Sequence, residues 1–230
     1  MPYFFYYFDP TMLIVLPALI FTLWAQMNVK NTYSKYSKLM TYRHMTGYHA
    51  ARRILDANGL HDVRIERIAG ELTDHYDPKS NVIRLSTAVY DSISAAAVGV
   101  AAHEAGHAVQ YAKKYAPIKL RTAIIPLTRF GSAAAMPLFI IGMFAALPAL
   151  MYVGIAFYSA ALLFQLITLP VEFNASKRAM AALRESAFLS DSELRASRRV
   201  LTAAALTYVA ALASSLLTLL RLLVLANRRR

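Results

Sequence analysis

Apolar residues fall into four long blocks, and a single sizeable polar stretch separates the first block from the rest. Residues 11–27, 131–151, 153–169 and 200–226 are almost free of charge. Each is close to the ~20 residues that a helix needs to cross a bilayer core. The second and third are separated only by a tight connection near Pro148, so they predict a transmembrane hairpin. No basic residue precedes the first block, whereas Lys30, Lys35, Lys38 and Arg43 follow it directly. That asymmetry reads as an uncleaved anchor with its N-terminus outside and the next segment in the cytoplasm. The aromatic run Tyr3-Phe4-Phe5-Tyr6-Tyr7-Phe8 suits the headgroup level.

Between the blocks the periodicity changes. Met45, Tyr48, Ala51, Ile54 and Leu55 recur at helical spacing, and Gly59 stands where a helix stop belongs, so 46–58 is an expected helix. Residues 63–68 and 81–86 read as strands, the second after the turn Asp77-Pro78-Lys79-Ser80. An apolar helix over 92–102 and beyond is opened by an Asp91/Ser92 cap signal. Residues 111–129 are basic and interrupted by Pro117 and Pro126, which predicts a connector hugging the membrane. Pro170 and Glu172 are expected to end the third block, and 172–199 is charged and helix-prone.

Composition narrows the class. With 57% hydrophobic residues, the chain is too apolar for an ordinary soluble domain. It has no cysteine, which excludes thiolate ligands, disulfides and cysteine nucleophiles. The formal charge of +12 sits beside the apolar blocks or among acidic residues. Anionic lipid headgroups, not nucleic acid, are the expected partner.

The chemistry concentrates in His103-Glu104-Ala105-Gly106-His107. On a helix, H-E-x-x-H places two imidazoles on one face where they can hold one zinc ion, with the glutamate beside it as a base. With six His and six Glu among 230 residues, chance would produce the pattern about 0.004 times per chain. The small neighbours Ala101, Ala102, Ala105, Gly106 and Ala108 permit close approach of another backbone or of a substrate.

Catalytic zinc generally has three protein ligands. No histidine follows His107, so the third is a downstream carboxylate or an upstream histidine. Glu172 is the best candidate, because the hairpin returns it to the compartment of the motif; the competing reading is a solvated glutamate at a helix start. His75 and Tyr76 are candidates for oxyanion or substrate contact, against a reading as hairpin residues only. His44, His49 and His61 read as surface or packing residues, and Arg221 as a snorkelling side chain. Residues 81–86 offer a possible edge for an extended peptide.

Leu23-Trp24-Ala25-Gln26, Met45-Thr46-Gly47, the run from Leu72 to Pro78, Ala102-His103-Glu104-Ala105-Gly106-His107-Ala108 and the run from Leu169 to Ser176 together resemble the YugP-type neutral zinc metallopeptidases of bacterial membranes. More distantly they are similar to the HtpX and Ste24 membrane gluzincins. In those relatives the glutamate opens E-x-x-A-D, whose aspartate supports a ligand; here Glu172 and Ala175 match and Ser176 stands in the aspartate position. The resemblance implies Zn2+, peptide hydrolysis and a membrane location.

The expected architecture is therefore a mainly α membrane protein, with about four transmembrane helices and a small α+β zincin-like cytoplasmic unit. Its parts are an anchor (1–29), the metallopeptidase unit (30–130), the hairpin (131–171), the third-ligand helix (172–199) and a last span with a basic tail (200–230). That order puts the terminal arginines outside, against the usual bias, unless the basic loops at 30–45 and 177–199 outweigh them. The expected activity is zinc-dependent endopeptidase action on a protein or peptide at the cytoplasmic face of a bacterial membrane. Its rivals are an intramembrane protease, disfavoured by the short apolar run before His103, and a metal-bearing scaffold without turnover, in which Glu104 would have no task.

Overall fold

A computed structural model describes residues 9–71 and 73–228. The aromatic run at 3–8, Leu72 and the last two arginines lie outside them. The elements are α1 (Met12–Tyr36), α2 (Gly47–Ala57), β1 (Arg64–Ile68), β2 (His75–Asp77), β3 (Val82–Ser86), α3 (Thr87–Tyr90), α4 (Ala95–Ala112), α5 (Ala116–Phe144), α6 (Pro148–Glu185) and α7 (Asp191–Asn227). Four of these, α1, α5, α6 and α7, are long and apolar enough to cross a membrane.

The described residues form two compact units, one drawn from 9–25, 120–168 and 207–228, the other from 26–119 and 169–206. In the first, α5 and α6 meet almost backbone to backbone. A Cβ on Gly154 would stand 2.7 Å from the Ala135 carbonyl oxygen, so only glycine fits there. Close approach at small residues is how apolar helices gain packing where no hydrophobic driving force separates them from lipid. Arg221, isolated in an apolar block, is bonded to Asp9 (3.1 Å) and to the Thr11 hydroxyl (3.1 Å). A paired charge explains its presence better than snorkelling alone.

The second unit carries the sheet. β3 lies in the middle, parallel to β1 and antiparallel to β2. This corrects the expectation of a free edge at 81–86: both sides of β3 are already hydrogen-bonded, and β2 is an edge. Residues 75–77, which read as turn chemistry, pair as a strand because Asp77 closes the turn itself. Its carboxylate accepts from the Ser80 hydroxyl (2.7 Å), the Lys79 N–H (2.9 Å) and Arg84 (3.1 Å), and these bonds hold its pKa well below the usual range.

Beneath the sheet, Leu55, Ile83, Leu85, Val89, Val98 and Leu183 form one buried cluster with the alanines of α4. Burial of each large aliphatic side chain contributes about 1.5–3 kcal/mol, so the cluster anchors α4 firmly. Two further histidines make local contacts: His49 meets the α2 cap residue Thr46 (2.8 Å) and His61 meets Asp56 (3.1 Å).

Three boundaries differ from the sequence reading. α4 is capped by Ser94, whose hydroxyl accepts from Ala97 N–H (3.2 Å), not by Asp91 or Ser92. Most of the stretch at 111–129, read as a proline-interrupted connector hugging the membrane, belongs to one long helix, since α5 starts at Ala116 and continues through Pro126 and Pro137. Likewise α6 runs through Pro170 and does not stop there. A proline removes only one N–H from the helix ladder, and apolar helices tolerate this where neighbouring groups compensate. Glu172 therefore sits deep inside a helix, and a dipole-stabilised helix start cannot account for it.

Candidate metal centre

His103 and His107 occupy one face of α4, with ring centroids 4.7 Å apart and the rings nearly perpendicular. What brings a third donor to them is Gly106. A Cβ there would lie 2.6 Å from the Ala175 carbonyl oxygen, so the backbones of α4 and α6 are in contact. One turn before that contact, Glu172 projects its Oε2 to 3.1 Å from His103 Nε2 and 3.5 Å from His107 Nε2. The candidate ligand atoms of the three residues lie within 4.8 Å of one another.

The other face of each imidazole is held as well. Ser176 Oγ is 3.1 Å from His103 Nδ1, and Gln110 Oε1 is 3.0 Å from His107 Nδ1. An amide oxygen only accepts, so Nδ1 of His107 carries a proton, and Nε2 is the nitrogen that either donates to Glu172 when the ring is charged or offers its lone pair to a metal when it is neutral. Gln110 is fully buried and ties the helices together, donating to the Val171 carbonyl (2.8 Å) and to Asn174 Oδ1 (3.0 Å). Asn174 is in turn fixed by Arg178 (2.7 Å). Ser176 thus reaches the far nitrogen of His103 as a neutral partner. Gln110 escaped the sequence reading, although a polar residue three positions after His107 on an apolar helix was a signal of it.

Electrostatics favour a cation at this point. Burial disfavours a charged His107, but hydrogen bonding to Glu172 and the Glu104 carboxylate outweigh it and raise its pKa. A metal ion entering there competes with a proton. Two imidazole nitrogens and one carboxylate oxygen form a donor set that suits zinc, with room for a further ligand in a four-coordinate ion.

Glu104, nearly buried, is not in the ligand group. Its Oε2 accepts the Tyr76 backbone N–H at 2.9 Å, so β2 orients it. The Tyr76 ring packs on Tyr111, with centroids 5.6 Å apart, and its hydroxyl donates to Asn81 Oδ1 (2.8 Å). Burial pushes that hydroxyl up to about 12, which keeps it protonated. His75 is exposed and points to the opposite face of β2, as alternation requires. Its Nδ1 meets the Thr73 carbonyl (2.8 Å) and its Nε2 approaches Arg84 (3.5 Å). Asp74 accepts from the N–H (2.7 Å) and hydroxyl (3.2 Å) of Ser86, locking the start of β2 against the end of β3; burial, with Glu104 adding to it, raises its pKa.

Two imidazoles and a carboxylate thus converge between helices as a group that could hold a metal ion, with a second carboxylate alongside, and the described residues include four helices long and apolar enough to cross a membrane. The chain belongs to the family described as "Putative neutral zinc metallopeptidase", whose model matches residues 11–227. The "Putative membrane protease YugP" of Bacillus subtilis (strain 168) is 47% identical over 212 residues, covering 92% of this chain and 94% of that protein. No solved structure matches.

Proposed function

We propose that this protein is a membrane-bound zinc endopeptidase, with His103, His107 and Glu172 as metal ligands and Glu104 as general base. The observation that carries this reading is the convergence of Glu172 Oε2 on both Nε2 atoms, 3.1 and 3.5 Å away, from a residue more than sixty positions downstream. Zinc in such a site supplies Lewis acidity, polarising a peptide carbonyl and bringing the pKa of a water to near 7.

The chain's own residues supply the rest. Gln110 and Ser176 hold the imidazoles in the tautomer and orientation that present Nε2. Glu104 takes the proton of the attacking water and delivers it to the departing amine. Its carboxylate is aimed by the Tyr76 N–H, so proton transfer starts from a fixed oxygen. Removing the metal tests this: purified protein dialysed against a chelator should lose peptide hydrolysis and regain it with stoichiometric zinc. Hydrolysis that persists without metal would contradict the proposal.

The site is proposed to act at the surface of the bacterial cytoplasmic membrane, not within the bilayer. In support, α4 is not one of the four long apolar helices and packs against a sheet. The basic flank after α1 supports a cytoplasmic position for residues 30–119. The chain has no cysteine, so Lys79→Cys and Ser192→Cys, both at exposed positions, report directly. Both should resist an impermeant thiol reagent in intact cells and react after lysis; labelling of both in intact cells would invert the topology.

A further inference from the structure

Where α1 and α7 leave their apolar stretches, they line an open cavity of about 530 Å³. Four cations line it: Lys35 from α1 and Arg195, Arg198 and Arg199 from α7. Arg195, Arg198, Arg199 and Thr202 follow one helical face, at i, i+3, i+4 and i+7. Asn28, Thr32 and Lys35 do the same on α1. Asn28, Thr32, Tyr36 and Thr202 add amide and hydroxyl groups, and no carboxylate lines the cavity.

The cations are exposed, and among the described residues none of the four is within 4.0 Å of a carboxylate. Elsewhere this chain pairs its arginines readily, as Arg52 does with Asp56 and Arg84 with Asp77. Four like charges around one space repel one another unless an anion joins them. Ala203 and Leu206, inside the apolar block of α7, also line the cavity, so along that helix its lining passes from cations at 195–199 to an apolar end at 203–206.

We infer that this cavity binds an anionic phospholipid: the phosphate lies among Lys35, Arg195, Arg198 and Arg199, the headgroup hydroxyls meet Thr32 and Thr202, and an acyl chain leaves past Leu206. Guanidinium groups match phosphate oxygens in geometry as well as charge, and basic clusters beside membrane-spanning helices attract acidic lipids. A free phosphate satisfies the cations but leaves the apolar end unused. The inference rests on the membrane placement proposed above and not on peptide hydrolysis.

The test uses full-length protein delipidated in neutral detergent and titrated with phosphatidylglycerol or phosphatidylcholine, with bound lipid read by native mass spectrometry. One phosphatidylglycerol should bind at least ~10-fold more tightly than phosphatidylcholine. Replacing Arg195, Arg198 and Arg199 with glutamine should remove that preference. Replacing Lys113, Lys114 and Lys119, which removes the same charge at other exposed positions, should leave it intact. Should the triple arginine variant fail to fold, Lys35→Gln with Arg199→Gln, one charge from each helix, repeats the measurement. Equal loss in the lysine control, retention of the preference in the arginine variants, or displacement of the lipid by millimolar inorganic phosphate would each overturn the assignment. Because lipid mass is the readout, the result stands apart from whether the protein cleaves peptides.

Discussion

Glu104→Gln is expected to keep zinc at about one equivalent per chain while peptide hydrolysis falls by at least the ~10²-fold typical of losing a general base. The substitution is nearly isosteric and leaves His103, His107 and Glu172 untouched. The amide oxygen can still accept the Tyr76 N–H that the carboxylate accepts at 2.9 Å. Orientation by β2 is thereby preserved, and what disappears is basicity. A fall in zinc content would instead show that Glu104 is a ligand, and unchanged hydrolysis would remove it from the mechanism. Glu104→Ala is a poorer probe, because it also leaves the part-buried Tyr76 N–H without its acceptor.

Glu172→Ala should weaken zinc binding far more than the 10 to 100-fold that follows from losing a supporting contact. The side chain is 2% exposed and its Oε2 stands between both imidazoles. Truncation deletes one of three donors and the negative charge that balances the cation. Gln110→Leu supplies the internal scale: it leaves all three donors in place and breaks the bond to His107 Nδ1, so its effect should stay within 10 to 100-fold. His75→Ala, at a residue outside the ligand group, should leave zinc affinity unchanged. If Glu172→Ala and Gln110→Leu weaken zinc equally, Glu172 supports the site without ligating it.

The motif and its distant partner were readable in the chain for different reasons. H-E-x-x-H is a local pattern whose geometry follows from helical periodicity alone. Glu172 became a candidate through topology, since a hairpin of two apolar blocks returns the chain to where it started. Gly106 is the residue that makes this juxtaposition tight, and its meaning appears only once Ala175 is seen against it. Other parts were hidden by context. Pro126 and Pro170 looked like breaks because proline is costly in an isolated helix, but packed apolar helices absorb the lost bond. The three residues of β2 are too few to show alternation, and their strand character comes from pairing with β3. Gln110 belongs to the same class: its value lies in simultaneous contacts to His107, Val171 and Asn174, which no spacing rule brings together.

X-ray absorption at the zinc edge of the purified wild-type protein tests the central claim most directly. Two imidazoles and one carboxylate predict a nitrogen and oxygen shell at about 2.0–2.2 Å, with outer scattering from two histidine rings. In Glu172→Ala, loaded at saturating zinc, the two-ring scattering should persist while the inner shell changes. Outer scattering from a third imidazole, or a Glu172→Ala spectrum identical to wild type, would contradict the account.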